Sequence, residues 1–379
     1  MAGAKDFVFR EKVTPFIRKQ LRTLSEQYGP DSSEVRALKL QYVKSPEEDV
    51  ISDSDRMRHY EATQTVQHEG VPLRGVERLY RRTILIQPTM GCAAHCRWCL
   101  RGQYPIANLR EDDVVNFAKF CGSPAVRDDL REILITGGDP FLVPQILLLV
   151  FSEVKKHAPN IRYFRIGTRV PVQDPARVDR TLLAVLDSAG PARVEVGTHI
   201  NHPVELTSQA REAYGKLNDL GLRIYDQSVL LKGVNDSAEV LTELYDEIRY
   251  LGIEAHYLFH CIPMRGMRHH RTSVKRGLDL IGRLNSSGEA PGRGKPMFTL
   301  MTDLGKTTLY QGSILEKNDN DEVLVQTHYR ADEIQRWNPS WRMPPSAVED
   351  ENGTLRVWYP DGTDEGVKQL RLISSGSPH

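Results

Sequence analysis

The chain has 379 residues, 40% of them hydrophobic and 26% charged, enough apolar material for one large or two modest domains with a sizeable core. Lys+Arg and Asp+Glu total 50 each, so no net field draws the molecule to nucleic acid or to an anionic membrane, and a small-molecule substrate is expected. No apolar run approaches a membrane span, and the start, MAGAKDFVFREKVTPFIRKQ, is too charged for a secretory signal, which predicts a cytoplasmic protein.

The first 80 residues are polar and helix-leaning and pass into a charged, loop-like stretch, SPEEDVISDSDRMRHYEATQTVQHEGVPL. From Arg82 short β-branched runs alternate with amphipathic segments of helical length. The expected strands are TILIQPT, EILITGG, IRYFRIG, RVEVGTH, RIYDQSVLL and AHYLFHC; the expected helices cover 112–121, 144–156, 178–188, 208–220, 237–251 and 273–284. Six β–α units in series require a parallel sheet, because parallel neighbours need crossover connections. The fold class read from this pattern is α/β, a partial (β/α)6 TIM-like barrel over 81–286, with a helical N-terminal extension over 1–80. After residue 286 the rhythm changes: MFTLMTD, KTTLYQGSIL, EVLVQTHY and TLRVWYPDG read as antiparallel strands, KNDND as a hairpin turn, and RLISSGSPH as a disordered tail. Residues 287–379 are therefore expected to form a β-rich segment over the substrate site.

In such a barrel Cys92 follows the first strand, Gly137, Gly138 and Asp139 the second, Arg169 the third and His199 the fourth, while Gln227 lies within the fifth and Cys261 ends the sixth. These positions converge on the carboxyl ends of the strands, where parallel β/α folds place their active sites.

Three of the five cysteines crowd into GCAAHCRWCLRG as Cys92-x3-Cys96-x2-Cys99. A reducing compartment and a metal or redox site suit this better than a disulfide framework. Structural zinc would need a fourth ligand, for which Cys121, Cys261 or His95 is available; a [4Fe–4S] cluster on three thiolates instead leaves one iron open. A non-catalytic zinc protein and a redox enzyme are both compatible with the spacing.

The Cx3CxφC pattern with Trp98 before its last cysteine, followed by ITGGDP, resembles the radical S-adenosylmethionine (SAM) superfamily. RIGTRVPV, GTHINHPVELT, DQSVLLKGVND and HHRTSVKRGLDLI extend the resemblance to the lysine 2,3-aminomutase branch, over residues 75 to 285 with a fainter echo at DSSEVRAL. The resemblance implies that Cys92, Cys96 and Cys99 hold a [4Fe–4S] cluster whose open iron chelates SAM. One electron, from a flavodoxin- or ferredoxin-like donor, then yields a 5′-deoxyadenosyl radical that abstracts a substrate hydrogen. It also implies that Gly137, Gly138 and Asp139 meet the SAM amino group, that Trp98, His199, Gln227 and Arg169 lie around SAM, and that Arg101 grips a substrate carboxylate. Amino-acid-like substrates and a homo-oligomer follow by the same analogy.

The branch also uses pyridoxal 5′-phosphate (PLP), which needs a lysine for its aldehyde. Lys295 in GRGKP and Lys306 in DLGKTT are imperfect substitutes, and an alignment of MPPSAVEDENGTLRVWYPDG puts Pro339 where the lysine belongs. The arginines expected near the phosphate are represented by Leu79 and Thr83, with Arg81 and Arg82 close by. Ile262 replaces the aspartate that holds a lysine ammonium, so L-lysine is a poor substrate expectation, although Asp303 could serve as an amine partner. Arg265 and Arg268 hint at a more acidic substrate or are surface residues, and His269 and His270 read as solvated or capping. Amino migration and a PLP-independent radical reaction, such as dehydrogenation, epimerisation or deamination, both remain open, as does a protein-borne substrate docked by the polar C-terminal segment.

Overall fold

A computed structural model describes residues 10–50, 55, 66–78, 80–102, 108–286, 294–310 and 312–366. The proposed disordered tail and about half of the charged lead-in lie outside these residues. The N-terminal extension is helical as expected: α1 (Pro15–Tyr28) and α2 (Ser33–Tyr42) pack together. Thr14 caps α1 by accepting from the Ile17 amide at 3.1 Å and donates its own hydroxyl to the Gln173 carbonyl at 2.7 Å, so the cap also ties the helix to the barrel.

A small hairpin, β1 (Gln67–His68) with β2 (Val71–Pro72), precedes the main sheet. That sheet opens with β3 (Val76–Glu77), antiparallel to β4 (Thr83–Thr89). Parallel strands follow in sequence order: β5 (Glu132–Gly137), β6 (Tyr163–Thr168), β7 (Arg193–Thr198), β8 (Arg223–Leu230) and β9 (Ile253–His260). The crossovers are α3 (Glu111–Gly122), α4 (Pro144–His157), α5 (Val170–Gln173) with α6 (Arg180–Asp187), α7 (Ser208–Asp219) and α8 (Ala238–Tyr250).

The expected sheet is extended in one respect. After α9 (Val274–Ser286), β10 (Met297–Thr302) pairs parallel to β9, with Met297 opposite Tyr257, and β11 (Gly305–Thr308) turns back antiparallel on β10. MFTLMTD thus belongs to the barrel sheet and not to a separate antiparallel unit, because its register places Phe298 and Leu300 in the same apolar layer as the preceding strands. KTTLYQGSIL, expected as one strand, is split between β11 and β12 (Ile314–Lys317). β12, β13 (Glu322–Gln326), β14 (Ala347–Glu349) and β15 (Leu355–Pro360) form a second sheet in the order β12-β13-β15-β14, with α10 (Ala331–Trp337) between β13 and β14.

Strand periodicity decides the two faces of the barrel. Ile84, Ile86, Ile133, Ile135, Ile166 and Val196 are fully buried and pack outward on helix residues such as Phe117, Leu147 and Leu241. The alternate positions, among them Gln87, Thr136, Arg165, Glu195, Tyr225, Gln227 and Tyr257, are half-buried and mostly polar. The interior is therefore a lined space that can take a polar ligand, while the apolar layer beneath the helices supplies the stability. Among the described residues no helix is long and apolar enough to cross a membrane.

Candidate active site

The cysteine loop leaves the end of β4 and is held from outside by the N-terminal extension. Lys12 Nζ donates to the Cys92 carbonyl at 2.6 Å, the His95 amide to the Lys12 carbonyl at 2.8 Å, and the Arg97 amide to the Gln41 carbonyl at 2.9 Å. Arg97, its side chain fully buried, forks onto Glu48, with Nε 2.8 Å from Oε1 and Nη2 on Oε2. A buried guanidinium needs such a partner.

The thiols of Cys92, Cys96 and Cys99 share one locale. Burial first, and then the neighbouring Cys99, Asp139 and Cys96, push the Cys92 thiol far up; burial and Cys96 push Cys99 up to about 11. Three thiolates so close repel one another until a cation discharges them, which suits a cationic cluster. Among the described residues no three His, Cys, Asp or Glu side chains are grouped as a single metal ion requires.

Arg169, at the end of β6, is the hub. Its Nη1 donates to Cys96 Sγ at 2.9 Å, Nη2 to Glu205 Oε1 and to Gln41 Oε1 at 3.2 Å, and Nε to the His199 carbonyl at 2.9 Å. The guanidinium also lies 4.9 Å from the Trp98 ring centroid and 5.3 Å from that of Tyr42. Burial disfavours its charge, but Cys96, Tyr42 and Glu205 outweigh that and hold it protonated. Gln173 Nε2 adds a second bond to Cys96 Sγ at 3.2 Å. The Arg169 guanidinium is thus taken up by groups of this chain, Cys96 Sγ among them.

Asp139 departs from its expected role as an ammonium partner. Its Oδ1 accepts from Thr168 Oγ1 at 2.7 Å and the Phe141 amide at 3.1 Å; Oδ2 accepts from the Arg169 and Val170 amides at 2.8 and 3.1 Å. Four donors occupy the carboxylate, which staples the end of β5 to the end of β6. The glycines before it serve the cysteine loop directly: a Cβ on Gly138 would lie 2.2 Å from the Gly91 carbonyl oxygen, and Gly137, at φ +115°, would place one 2.7 Å from that of Thr89.

Trp98 and His199 face each other with ring centroids 5.6 Å apart, and Trp98 Nε1 and His199 Nδ1 are buried without hydrogen-bond partners. Burial, aided by Arg169, lowers His199 to about 3, so its imidazole stays neutral. Two orphaned polar atoms beside the thiols are what a bound nucleoside would satisfy. Gln227 lies on the interior face of β8, and Gly197 on β7 leaves room for it: a Cβ there would stand 2.5 Å from Gln227 Nε2.

The substrate-side expectations fare differently. Arg101 forks onto Glu77, Nη1 2.8 Å from Oε1 and Nη2 2.9 Å from Oε2, so its guanidinium face is already matched by a carboxylate of this chain. Asp303 is buried and accepts from Ser346 Oγ at 2.6 Å. Lys295 lies at the surface, its Nζ donating to the Asn285 carbonyl at 3.0 Å, and is removed from the site. Lys306, on β11, is inside: its Nζ stands 5.0 Å from the Tyr257 ring centroid and 5.4 Å from that of Phe259. Pro339, where the alignment puts the lysine position, is exposed beyond α10. Arg81 and Arg82 are exposed, with Arg81 paired to Asp129 at 2.7 Å outside the barrel. Ile262 is buried in a cluster with Cys261, Met264 and Met267. His270 is buried and stacks on His269 at 3.9 Å, which corrects its reading as a solvated residue.

Sequence reasoning missed Glu205, Gln41, Gln173 and Glu77, the partners that hold the site in shape. Gln41 lies in a segment read only as helix, and Glu205, though inside GTHINHPVELT, was given no role; their shared partner Arg169 is 128 and 36 positions away. Gly197, a glycine inside β7, is a local signal of a close approach.

The chain matches the family model of the radical SAM superfamily over residues 86–244. A putative L-lysine 2,3-aminomutase of Aquifex aeolicus is 32% identical over 66% of this chain and 69% of that protein. The chain belongs to the radical SAM superfamily, in its lysine 2,3-aminomutase-like branch. The L-lysine 2,3-aminomutase of Methanococcus maripaludis is 33% identical over 56% of this chain and 49% of its own length, and the glutamate 2,3-aminomutase of Clostridioides difficile is 29% identical over 66% and 59%. The chain thus spans between about half and 70% of such relatives. As a radical SAM enzyme of aminomutase-like type it uses a [4Fe–4S] cluster and SAM.

Proposed function

We propose that the chain abstracts hydrogen from a small primary amine derived from an amino acid and moves its amino group to the adjacent carbon. Cys92, Cys96 and Cys99 hold the cluster; Trp98, Gly137, Gly138, His199 and Gln227 line the place of SAM; Asp139 and Arg169 fix those residues from behind. When bound and reduced by a flavodoxin- or ferredoxin-like protein, the cluster and SAM supply a 5′-deoxyadenosyl radical. Neutral His199, packed against Trp98, places no extra charge beside the nucleoside and offers it an unpartnered ring nitrogen.

The observation that carries the amino shift is Lys306, the one candidate lysine on the barrel interior, with its Nζ over Tyr257 and Phe259. That position fits PLP, whose aldehyde would be held there and which lets nitrogen migrate between carbons. The aromatic faces beneath Nζ orient the amine and offer a ring-sized surface.

The test is reduction with sodium borohydride after anaerobic addition of PLP, followed by peptide mapping. The expected adduct is on Lys306. Complete absence of an adduct favours the second reading, a PLP-independent hydrogen abstraction, which the outward-facing Arg81 and Arg82 recommend, since neither is placed to meet a phosphate inside the barrel.

A further inference from the structure

Glu77 lies on β3 directly opposite Leu85 of β4, on the interior face of the sheet. Its side chain is 6% exposed and that of Arg101 10% exposed, and both carboxylate oxygens are used by both arms of the guanidinium. Glu77 Oε1 also accepts from Gln87 Nε2 at 2.5 Å, so the carboxylate is fixed from the strand beside it. The geometry is that of a bound ligand carboxylate on an arginine fork, except that the chain supplies the carboxylate itself. Arg165, the other interior arginine at this sheet, is likewise matched, to Glu132 at 2.5 Å.

We propose that Glu77 is a specificity-determining residue that fills the carboxylate seat at Arg101, and that this chain accepts an amine whose neighbouring carboxyl group is blocked as an amide. This inference rests on the proposed function and names its substrate class. A free α-carboxylate arriving at Arg101 meets the charge of Glu77 in the same fork; displacing Glu77 leaves a carboxylate buried without its partner, which is heavily unfavourable. An amide carries no charge and places no such demand. Its carbonyl stabilises a radical on the adjacent carbon as a carboxylate does, so the hydrogen abstraction is not compromised. The N-terminal residue of a peptide, with a free α-amine and its carboxyl group held as an amide, satisfies the same chemistry as a simple amide.

The experiment titrates the anaerobic, cluster-loaded protein with SAM and two matched pairs, L-lysine with L-lysinamide and L-glutamate with its α-amide, by calorimetry. In the wild type at least one amide is expected to bind at least tenfold more tightly than its parent acid, and Glu77→Gln is expected to reverse that preference by tenfold or more. The double variant Glu77→Gln/Arg101→Gln removes both charges and is expected to bind acid and amide alike, which separates a lost preference from a lost fold. Equal or tighter binding of both parent acids by the wild type overturns the proposal, as does a preference that Glu77→Gln leaves unchanged or a failure of all four probes to bind. Reductive SAM cleavage in the absence of any probe is scored separately: its loss counts against the radical SAM assignment and not against the role of Glu77.

Discussion

Arg169 Nη1 donates to Cys96 Sγ at 2.9 Å while Nη2 of the same guanidinium donates to the buried Glu205. One side chain thereby joins a cluster cysteine, the strand ends of the barrel and, through Gln41, the N-terminal extension. Arg169→Gln is expected to lower unfolding stability by about 3–5 kcal/mol, because Glu205 is left charged and buried without its partner. Urea unfolding measures this. The paired variant Arg169→Gln/Glu205→Gln is expected to recover part of the loss; no recovery would show that the ion pair is not the reason.

Gly138 and Gly197 make opposite demands on their neighbours. Gly138→Ala sets a methyl 2.2 Å from a backbone oxygen of the cysteine loop, which has nowhere to move; iron incorporated on reconstitution is expected to fall sharply and the melting temperature with it. Gly197→Ala meets only the end of the Gln227 side chain at 2.5 Å, which can swing aside. Iron content is expected to stay normal, with weakened SAM binding by calorimetry as the measurable effect.

On the proposed function, Lys306 separates amino migration from SAM cleavage. Lys306→Ala is expected to abolish amino migration and the borohydride-trapped adduct, while dithionite-driven 5′-deoxyadenosine formation continues, because Lys306 sits on β11 over Tyr257 and Phe259 and reaches His199 through its charge. Loss of both activities together would place Lys306 in SAM binding instead.

His260 couples the barrel to the second sheet: its Nε2 donates to the Thr272 carbonyl at 2.8 Å and its Nδ1 accepts from the Tyr359 hydroxyl at 3.1 Å. Burial, with Arg271 nearby, lowers it to about 3. The unfolded chain takes up this proton near pH 6.5 and the folded chain does not, so the contribution is complete above 6.5 and is lost as pH falls below it. The slope is about 1.4 kcal/mol per pH unit for one group. His260→Gln keeps a donor and an acceptor without the titration, so its unfolding free energy relative to wild type is expected to rise between pH 6.5 and 5; a pH-independent difference would contradict this.

The parallel barrel was legible because β–α alternation is local: each strand is a short β-branched run and each helix an amphipathic one. The cysteine loop was legible because three thiols within eight positions are rare. β10 was misread for a physical reason. MFTLMTD looks the same whether its neighbour runs parallel or antiparallel, and only the register of Met297 against Tyr257 decides. Asp139 and Arg101 were expected from the resemblance to be ligand-binding charges, yet both are matched by groups distant in sequence, Thr168 and Glu77. Local pattern shows that a charge is present, whereas its remaining capacity depends on tertiary partners. Lys306 was discounted because a strict motif was sought; its place on β11, over Tyr257 and Phe259, is a property of the sheet.

The central claim is that three thiolates, backed by Arg169 and the Gly137-Gly138 turn, hold a cluster that cleaves SAM. The most direct measurement is 5′-deoxyadenosine released from SAM by anaerobically reconstituted protein on reduction with dithionite. The account predicts release by the wild type and none by the Cys92→Ala/Cys96→Ala/Cys99→Ala variant; equal behaviour of the two proteins would contradict it.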